Sequence, residues 1–307
     1  MFFKRQSHKI KEEMGGMTMA AFRINRTNDA VFKAIFAKYP KITLALINAF
    51  LEFQGTEQLV DIEFIDREID SDEYEGKESR LDILGRTASG TKVNIEMQVN
   101  ALAAMGERSL FYWARNYADL KRGEEYDQLK RTIAINILGF NLFNEKQYTD
   151  MHSCFGIYDI KTQCQLTDKL EIHFLELPKF KSKSVKDMNR MEKWAAYFSP
   201  VTSDEELEEI AAGEEAIKEA MEVEDMFTKD EVARRSYEKA EKFHRDQAAQ
   251  LSYAEKRGEE RGEKKGIRGT VVALKSLNLD KKTIALKLAE VFGLDDKTAN
   301  KYVEANW

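Results

Sequence analysis

Two carboxylates and an amide in one short segment have the types and spacing of a divalent-metal site. Asp82 belongs to one predicted strand, Glu96 and Gln98 belong to the next, and the turn-forming segment Gly85 to Gly90 joins the two. Such a hairpin would bring Asp82 beside Glu96. Hard cations such as Mg²⁺ prefer oxygen ligands and are commonly held by one or two carboxylates together with a substrate phosphate. The segment therefore predicts a two-carboxylate metal site.

Alternation along the second strand separates a core face from a polar face. Side chains at every second position point the same way, so Glu96 and Gln98 share a face. The apolar set is Val93, Ile95 and Met97, and the polar set is Lys92, Asn94, Glu96 and Gln98. The alternative to a metal site is an ordinary antiparallel pair whose polar face is solvated and binds nothing.

The segments around this hairpin predict a mixed sheet flanked by helices. Apolar residues at helical spacing indicate a helical hairpin before the strands, with Asn28 or Thr27 as N-cap and Pro40 between the helices. The other predicted elements are strands at 59–69, 132–138 and about 170–177, and a helix at 101–122 that ends at Gly123. This order of helices and strands is typical of an α/β or α+β domain.

Four motifs that follow one another along the chain carry a family resemblance. They are residues 28–36 (NDAVFKAIF), the hairpin at 82–98, residues 108–117 (RSLFYWARNY) and residues 123–126 (GEEY). In this order they resemble the Rpn family of recombination-promoting nucleases and putative transposases, which belongs to the PD-(D/E)XK nuclease superfamily. Residues 170–179 (LEIHFLELPK) resemble the end of that nuclease domain. The resemblance covers about residues 25–200 and implies a restriction-endonuclease-like fold.

The resemblance also implies a catalytic set. Asp82 and Glu96 match the metal ligands, Gln98 stands where the superfamily usually has lysine, and Asp29 matches an acidic position on the first helix. The implied activity is Mg²⁺-dependent or Mn²⁺-dependent DNA cleavage linked to recombination, transposition or defence. An amide carries no charge to stabilise an anionic transition state, so Gln98 leaves open a nuclease-fold module that binds DNA or protein without cleaving. A carboxylate at a helix start is also favoured by the helix dipole, so Asp29 has a structural alternative.

Basic and aromatic side chains near the hairpin are candidates for contacts with DNA. Arg108, Tyr112 and Arg115 recur at helical spacing, and Lys92 lies on the polar face of the second strand. Arg108 is the strongest of the four candidates, because a guanidinium is seldom buried unpaired and matches the geometry of a phosphate.

The composition favours a globular chain with a hydrophobic core. Hydrophobic residues make up 43% of the 307 residues, and no apolar run is long enough to cross a membrane. With no secretory signal at its start, the protein is expected in the cytoplasm. Cys154 and Cys164 lack the spacing of a zinc site or a disulfide framework, so we expect two reduced, buried thiols.

The distribution of charge matters more than its sum. The net charge of −6 argues weakly against a nucleic-acid partner, but residues 204–225 alone hold eleven acidic residues and one lysine, Lys218. The rest of the chain is mildly positive, which is compatible with DNA binding. A further alternative is that the acidic segment mimics DNA and covers the basic face of the enzyme.

The sequence divides into four expected regions. They are a flexible leader at 1–24, a nuclease-like domain at 25–200, a charged helical linker at 201–268 and a small helical module at 269–307. In the linker Gly258, Gly262 and Gly266 recur four residues apart, which indicates a tether or a self-association segment. We expect the C-terminal helices to pack or to form a homo-oligomer, with DNA reading as the alternative.

Overall fold

The structure is a computed structural model that describes residues 24–53, 55, 58–65, 83–101, 104–118, 120 and 122–307. Asp82, the predicted leader up to residue 23 and the predicted loop at 71–79 lie outside the described residues. The chain divides into two compact units, Met1–Glu241 and Lys242–Trp307.

The first unit combines six described strands with the helices that cover them. The strands are β1 (Glu63–Phe64), β2 (Ile83–Arg86), β3 (Lys92–Gln98), β4 (Thr132–Leu138), β5 (His152–Tyr158) and β6 (Gln165–Glu176). The helices are α1 (Asp29–Phe36), α2 (Pro40–Phe50), α3 (Met105–Tyr117), α4 (Arg190–Phe198), α5 (Asp204–Gly213), α6 (Glu215–Lys229) and the start of α7 (Glu231–Ser276).

The described strands form one mixed sheet in the order β1-β2-β3-β4-β6-β5. The central strands β3, β4 and β6 are parallel, and the outer pairings are antiparallel. Every residue of β4 is buried, as the apolar run at 132–138 predicts for a parallel strand covered on both faces. The predicted α/β fold with a mixed sheet flanked by helices is therefore confirmed.

The two faces of the sheet pack against different helices. Val93, Ile95 and Met97 of β3 belong to a core cluster that also contains the buried side chains of α1, α2, α4, α5 and α6. On the opposite face, Met105 and Trp113 of α3 pack with apolar residues of β4 and β6. The sheet is thus the middle layer, and α3 covers the face that bears the even-numbered side chains of β3.

Two predicted boundaries of local elements are wrong. Gly85 lies inside β2 rather than in the turn, and a Cβ atom there would come within 2.3 Å of the Ile62 side chain. The turn is formed by Thr87 to Gly90, where Gly90 adopts a φ of +87° and donates to Thr87 O at 2.8 Å. Helix α3 ends at Tyr117, well before the predicted stop at Gly123.

The compact core of the first unit continues beyond residue 200, where the sequence analysis ended the nuclease-like domain. Leu207, Ile217 and Tyr237, from α5, α6 and α7, are buried in the same cluster as α1 and α2. A polar contact reinforces this packing, because Glu224 Oε1 accepts hydrogen bonds from Arg26 Nε at 2.8 Å and from the Tyr197 hydroxyl. Burial raises the pKa of Tyr197 well above its ordinary value, so its hydroxyl remains a donor.

The second unit contains the end of α7 and two short helices, α8 (Lys281–Phe292) and α9 (Asp296–Ala305). Asp280 caps α8 and Asp295 caps α9, and Gly293 between them adopts a φ of +63°. Both helices lie within the region at 269–307 that the sequence predicts to be helical. Residues 271–276, at the start of the predicted module at 269–307, belong to the end of α7.

The predicted tether in α7 is helical. The three glycines spaced four residues apart, Gly258, Gly262 and Gly266, all lie within this continuous helix. An added Cβ at Gly266 would lie 3.5 Å from the Phe292 ring of α8, which is an ordinary van der Waals contact, so the packing there has room for alanine. None of the described helices is both long and apolar enough to cross a membrane.

The two cysteines are exposed, which corrects the expectation that they are buried, although both are free thiols as predicted. Cys154 lies on β5, an edge strand of the sheet that the sequence analysis did not predict. Its Sγ is 3.7 Å from His173 Nε2 on β6. Burial of part of its surface raises the pKa of Cys154 to about 11, so the thiol is protonated at neutral pH.

A histidine pair joins β5 to β6. His152 Nε2 lies 3.0 Å from His173 Nδ1, and the two rings stack at 5.2 Å. Burial, and then the charge of His173, lower the pKa of the His152 imidazole from its ordinary value of 6.5 to about 4. The folded protein therefore holds this imidazole neutral at pH values where the unfolded chain binds a proton.

We expect His152 to weaken the fold in mild acid. Its contribution is fully present above pH 6.5 and is lost as the pH falls toward 4, at up to about 1.4 kcal/mol per pH unit. Urea unfolding of the wild type and His152→Gln at pH 7, 6, 5 and 4.5 measures the difference. The free energy of unfolding should fall more steeply in the wild type, and equal slopes would contradict this assignment.

Candidate functional site

The Glu96 carboxylate lies at the centre of the sheet, on the face that α3 covers. Glu96 is in parallel register with Asn136 of β4, and it is only 4% exposed. The sequence predicts that the polar face of β3 lies outside the core. This prediction is wrong, because Lys92 and Asn94 are buried as well. Asp82 is outside the described residues. Ile83, the next residue in the sequence, pairs with Ile95, the residue before Glu96.

Arg108 lies between the buried Glu96 carboxylate and the protein surface. Its Nη2 atom lies 3.8 Å from Glu96 Oε2, and about a third of its side chain is exposed. The guanidinium carbon is 5.3 Å from the centre of the Tyr112 ring, which favours a cation-π contact. Tyr112 itself is buried, so it orients Arg108 rather than presenting its own ring to a ligand.

A hydrogen-bonded pair that the sequence analysis missed fixes α3 beside Glu96. Ser109 Oγ donates to Asn136 Oδ1 at 2.8 Å, and Asn136 Nδ2 donates to His173 O at 3.1 Å. The buried Asn136 has both ends of its amide satisfied in this way. An asparagine inside the otherwise apolar run of β4 (TIAINIL) was the available signal.

Gln98 and Arg115 occupy the borders of the site. Gln98 is the last residue of β3, is partly exposed, and donates from its Nε2 to Asn100 O at 3.1 Å. Arg115 is exposed near the end of α3, two turns after Arg108. Both positions are compatible with contact to a bound molecule.

Lys92 is not a surface contact for DNA, contrary to the sequence prediction. It is 5% exposed, and its Nζ donates to Asn116 O at 2.7 Å near the C-terminal end of α3. Glu96 is four positions further along the same strand, which is roughly 13 Å at about 3.3 Å per position. The ammonium group therefore anchors α3 and complements the negative end of its helix dipole.

Asp29 lies on the other layer of the molecule. The buried residues of α1 pack in the cluster on the face of β3 opposite Glu96. The Asp29 carboxylate pairs with Lys33 at 2.9 Å within its own helix and is about half exposed. These contacts agree with the structural alternative, a carboxylate favoured at the start of a helix.

The donor atoms on this face suit a hard cation. Glu96 and Gln98 offer carboxylate and amide oxygens, the donor type that Mg²⁺ prefers. Two buried atoms here, Asn94 Oδ1 and Arg108 Nε, have no hydrogen-bond partner in the described part of the chain. This is the pattern of a site that a polar ligand completes. Within the described ranges no group of three or more His, Cys, Asp or Glu residues could hold a metal.

One comparison with known proteins gives a match. The model of the family described as PD-(D/E)XK nuclease family transposase matches residues 26–254, well over half of the chain. No curated protein and no solved structure matches the chain.

We expect Lys92 to act on stability. Lys92→Met removes a hydrogen bond from a buried ammonium, so the free energy of unfolding should fall by about 1.5–3 kcal/mol. Urea unfolding measures this loss, with Lys186→Met as the control at an exposed lysine of the same unit. Equal stability of the two variants would contradict the anchoring contact.

Proposed function

Because the chain belongs to the PD-(D/E)XK nuclease family transposases, we propose that it is a divalent-metal-dependent DNA endonuclease. The family match gives a role related to nucleases and transposases. The metal requirement, the endonuclease activity and the DNA substrate are the proposed part. Recombination, transposition or another process on mobile DNA is the proposed setting.

The observation that carries this proposal is the buried Glu96 carboxylate with Arg108 beside it. Burying a carboxylate costs several kcal/mol unless a counter-charge or a metal ion compensates it. Arg108 is a counter-charge near Glu96, since its Nη2 atom lies 3.8 Å from Glu96 Oε2. A buried carboxylate in a chain that belongs to a nuclease family is well suited to hold a divalent cation. We propose Asp82, next to β2 in the sequence, as the second ligand.

The reaction proposed is hydrolysis of a phosphodiester, in which a water oxygen bonds to phosphorus and the bond to one ester oxygen breaks. A divalent cation at Glu96 and Asp82 would supply Lewis acidity toward the phosphate and lower the pKa of a bound water. The leaving oxygen takes up a proton. The protein needs no nucleophile of its own for this chemistry.

The surrounding side chains have roles that fit their positions. The Gln98 amide can orient the attacking water through hydrogen bonds but supplies no positive charge. Arg108, held over Tyr112, can offer its guanidinium to a phosphate oxygen at the protein surface. Arg115, further along α3, can contact a neighbouring phosphate. We leave Asp29 out of the proposed catalytic set and Lys92 out of the proposed DNA contacts, because Asp29 pairs with Lys33 and the buried Lys92 binds Asn116 O.

The second candidate function is a nuclease-fold module that binds DNA or a protein without cleaving it. Gln98 at the usual lysine position favours this alternative, because an amide stabilises an anionic transition state less than a cation does.

Autoinhibition by the acidic segment has less support. Its helices α5 and α6 pack in the layer on the other side of the sheet from α3. A homo-oligomer through the C-terminal helices stays a prediction.

We expect cleavage of DNA by the wild type with Mg²⁺ or Mn²⁺ and none with EDTA. Asp82→Ala and Glu96→Gln should each lower the rate at least about 100-fold, because each removes a proposed ligand of the ion. Nicking and cutting of plasmid and linear DNA, followed on gels over time, measure these rates.

The matched control is Glu205→Gln, which changes an exposed carboxylate on α5 and should leave the rate unchanged. Wild-type rates in Asp82→Ala or Glu96→Gln would show that the proposed metal site is wrong. DNA binding without cleavage by the wild type would instead favour the second candidate function.

A further inference from the structure

The outer surface of α3 carries a large exposed aromatic side chain beside the candidate site. Phe111 is 60% exposed, whereas Met105, Tyr112 and Trp113 of the same helix are buried. An exposed phenylalanine gains no stabilisation from the core, and it is either one of the scattered apolar residues of any surface or a contact for a ligand. Its neighbours on the helix indicate what ligand would suit it.

Phe111 lies on the same helical stripe as the two arginines. Arg108 is three residues before it and Arg115 four residues after it, so their Cβ atoms are about 5–6 Å from that of Phe111. One nucleotide can bridge such a distance. A strand that places a phosphate at Arg108 would therefore bring an adjoining base to the Phe111 ring.

The ring of Phe111 is braced by the side chain that orients Arg108. The Phe111 and Tyr112 rings meet edge to face at 5.5 Å, and Tyr112 in turn lies under the Arg108 guanidinium. Contacts therefore run continuously from Glu96 through Arg108 and Tyr112 to Phe111. A ring fixed in this way loses little conformational entropy when a ligand packs on it.

The charges around Phe111 match a base flanked by phosphates. Arg108 and Arg115 attract phosphate on either side, while the exposed Glu107, one turn before Phe111, repels it. A neutral base is therefore better placed over the ring than the backbone is. Exposed aromatics among arginines are the usual elements of single-strand binding surfaces.

We propose that Phe111 stacks on an unpaired base next to the scissile phosphate, so that the site acts on single-stranded DNA or on DNA opened at the cleavage point. This inference rests on the proposed function, because it takes the phosphate to lie at Glu96 and Arg108. Bases inside a duplex stack on each other and present only their edges in the grooves. A ring on a convex helix surface therefore needs a base that has left the stack.

The test is the affinity of the full chain for a fluorescent 12-nucleotide single strand and for the matching duplex, measured by anisotropy in EDTA. Phe111→Ala should weaken single-strand binding roughly 5- to 150-fold, the range expected for loss of one stacked base. Phe111→Trp should restore it. The matched control is Leu110→Ala, which truncates the neighbouring half-exposed apolar side chain and should change little.

The salt dependence of binding separates stacking from phosphate contacts. Arg115→Ala should lower the slope of log affinity against log salt by about 0.7, while Phe111→Ala should leave this slope unchanged. Equal effects of Phe111→Ala on single strand and duplex, or effects no larger than those of Leu110→Ala, would overturn the proposal.

EDTA removes the divalent ion that the proposed cleavage requires. Binding measured in EDTA therefore tests the role of Phe111 independently of the proposed nuclease function. If the wild type cleaves DNA and Phe111→Ala binds single strands as tightly as the wild type, the proposed nuclease function stands and the stacking role of Phe111 is wrong. If the wild type never cleaves DNA but Phe111→Ala weakens single-strand binding, Phe111 contacts a base and the proposed nuclease function is wrong.

Discussion

The burial of the Glu96 carboxylate in the middle of the sheet is the constraint on which the rest of the site depends. A parallel strand covered on both faces normally carries apolar side chains, and a charge there costs free energy unless neighbouring groups compensate it. The cover over this charge is α3, which Lys92 anchors near one end and the Ser109–Asn136 hydrogen bond fixes near the middle. Arg108 then connects the buried charge to the surface.

This arrangement assigns different tasks to the two sides of α3. The buried side positions polar groups on the sheet, and the outer side carries Phe111 and Arg115, which are exposed, and Arg108, which is partly exposed. The opposite layer has another task. Its helices supply most of the hydrophobic core and carry the acidic segment, so the negative charge that dominates the sequence average belongs to the layer away from α3. Local charge around the site, rather than the net value, governs what it can bind.

The sequence was sufficient where local rules decide the structure. The apolar run of β4 and the helical hairpin around Pro40 both follow from periodicity and capping. Alternation also assigned the side chains of β3 to the correct faces. What covers each face depends on tertiary packing, so the burial of Lys92 and the position of Asp29 away from Glu96 could not be predicted.

The most direct test of the account is a titration of the wild type and Glu96→Gln with Mn²⁺, followed by electron paramagnetic resonance of the unbound ion. Glu205→Gln serves as the control for loss of one exposed carboxylate. The account predicts that the wild type and Glu205→Gln bind Mn²⁺ alike, and that Glu96→Gln binds it at least about tenfold more weakly. Equal binding by all three proteins, or no binding by the wild type, would contradict the metal site at Glu96.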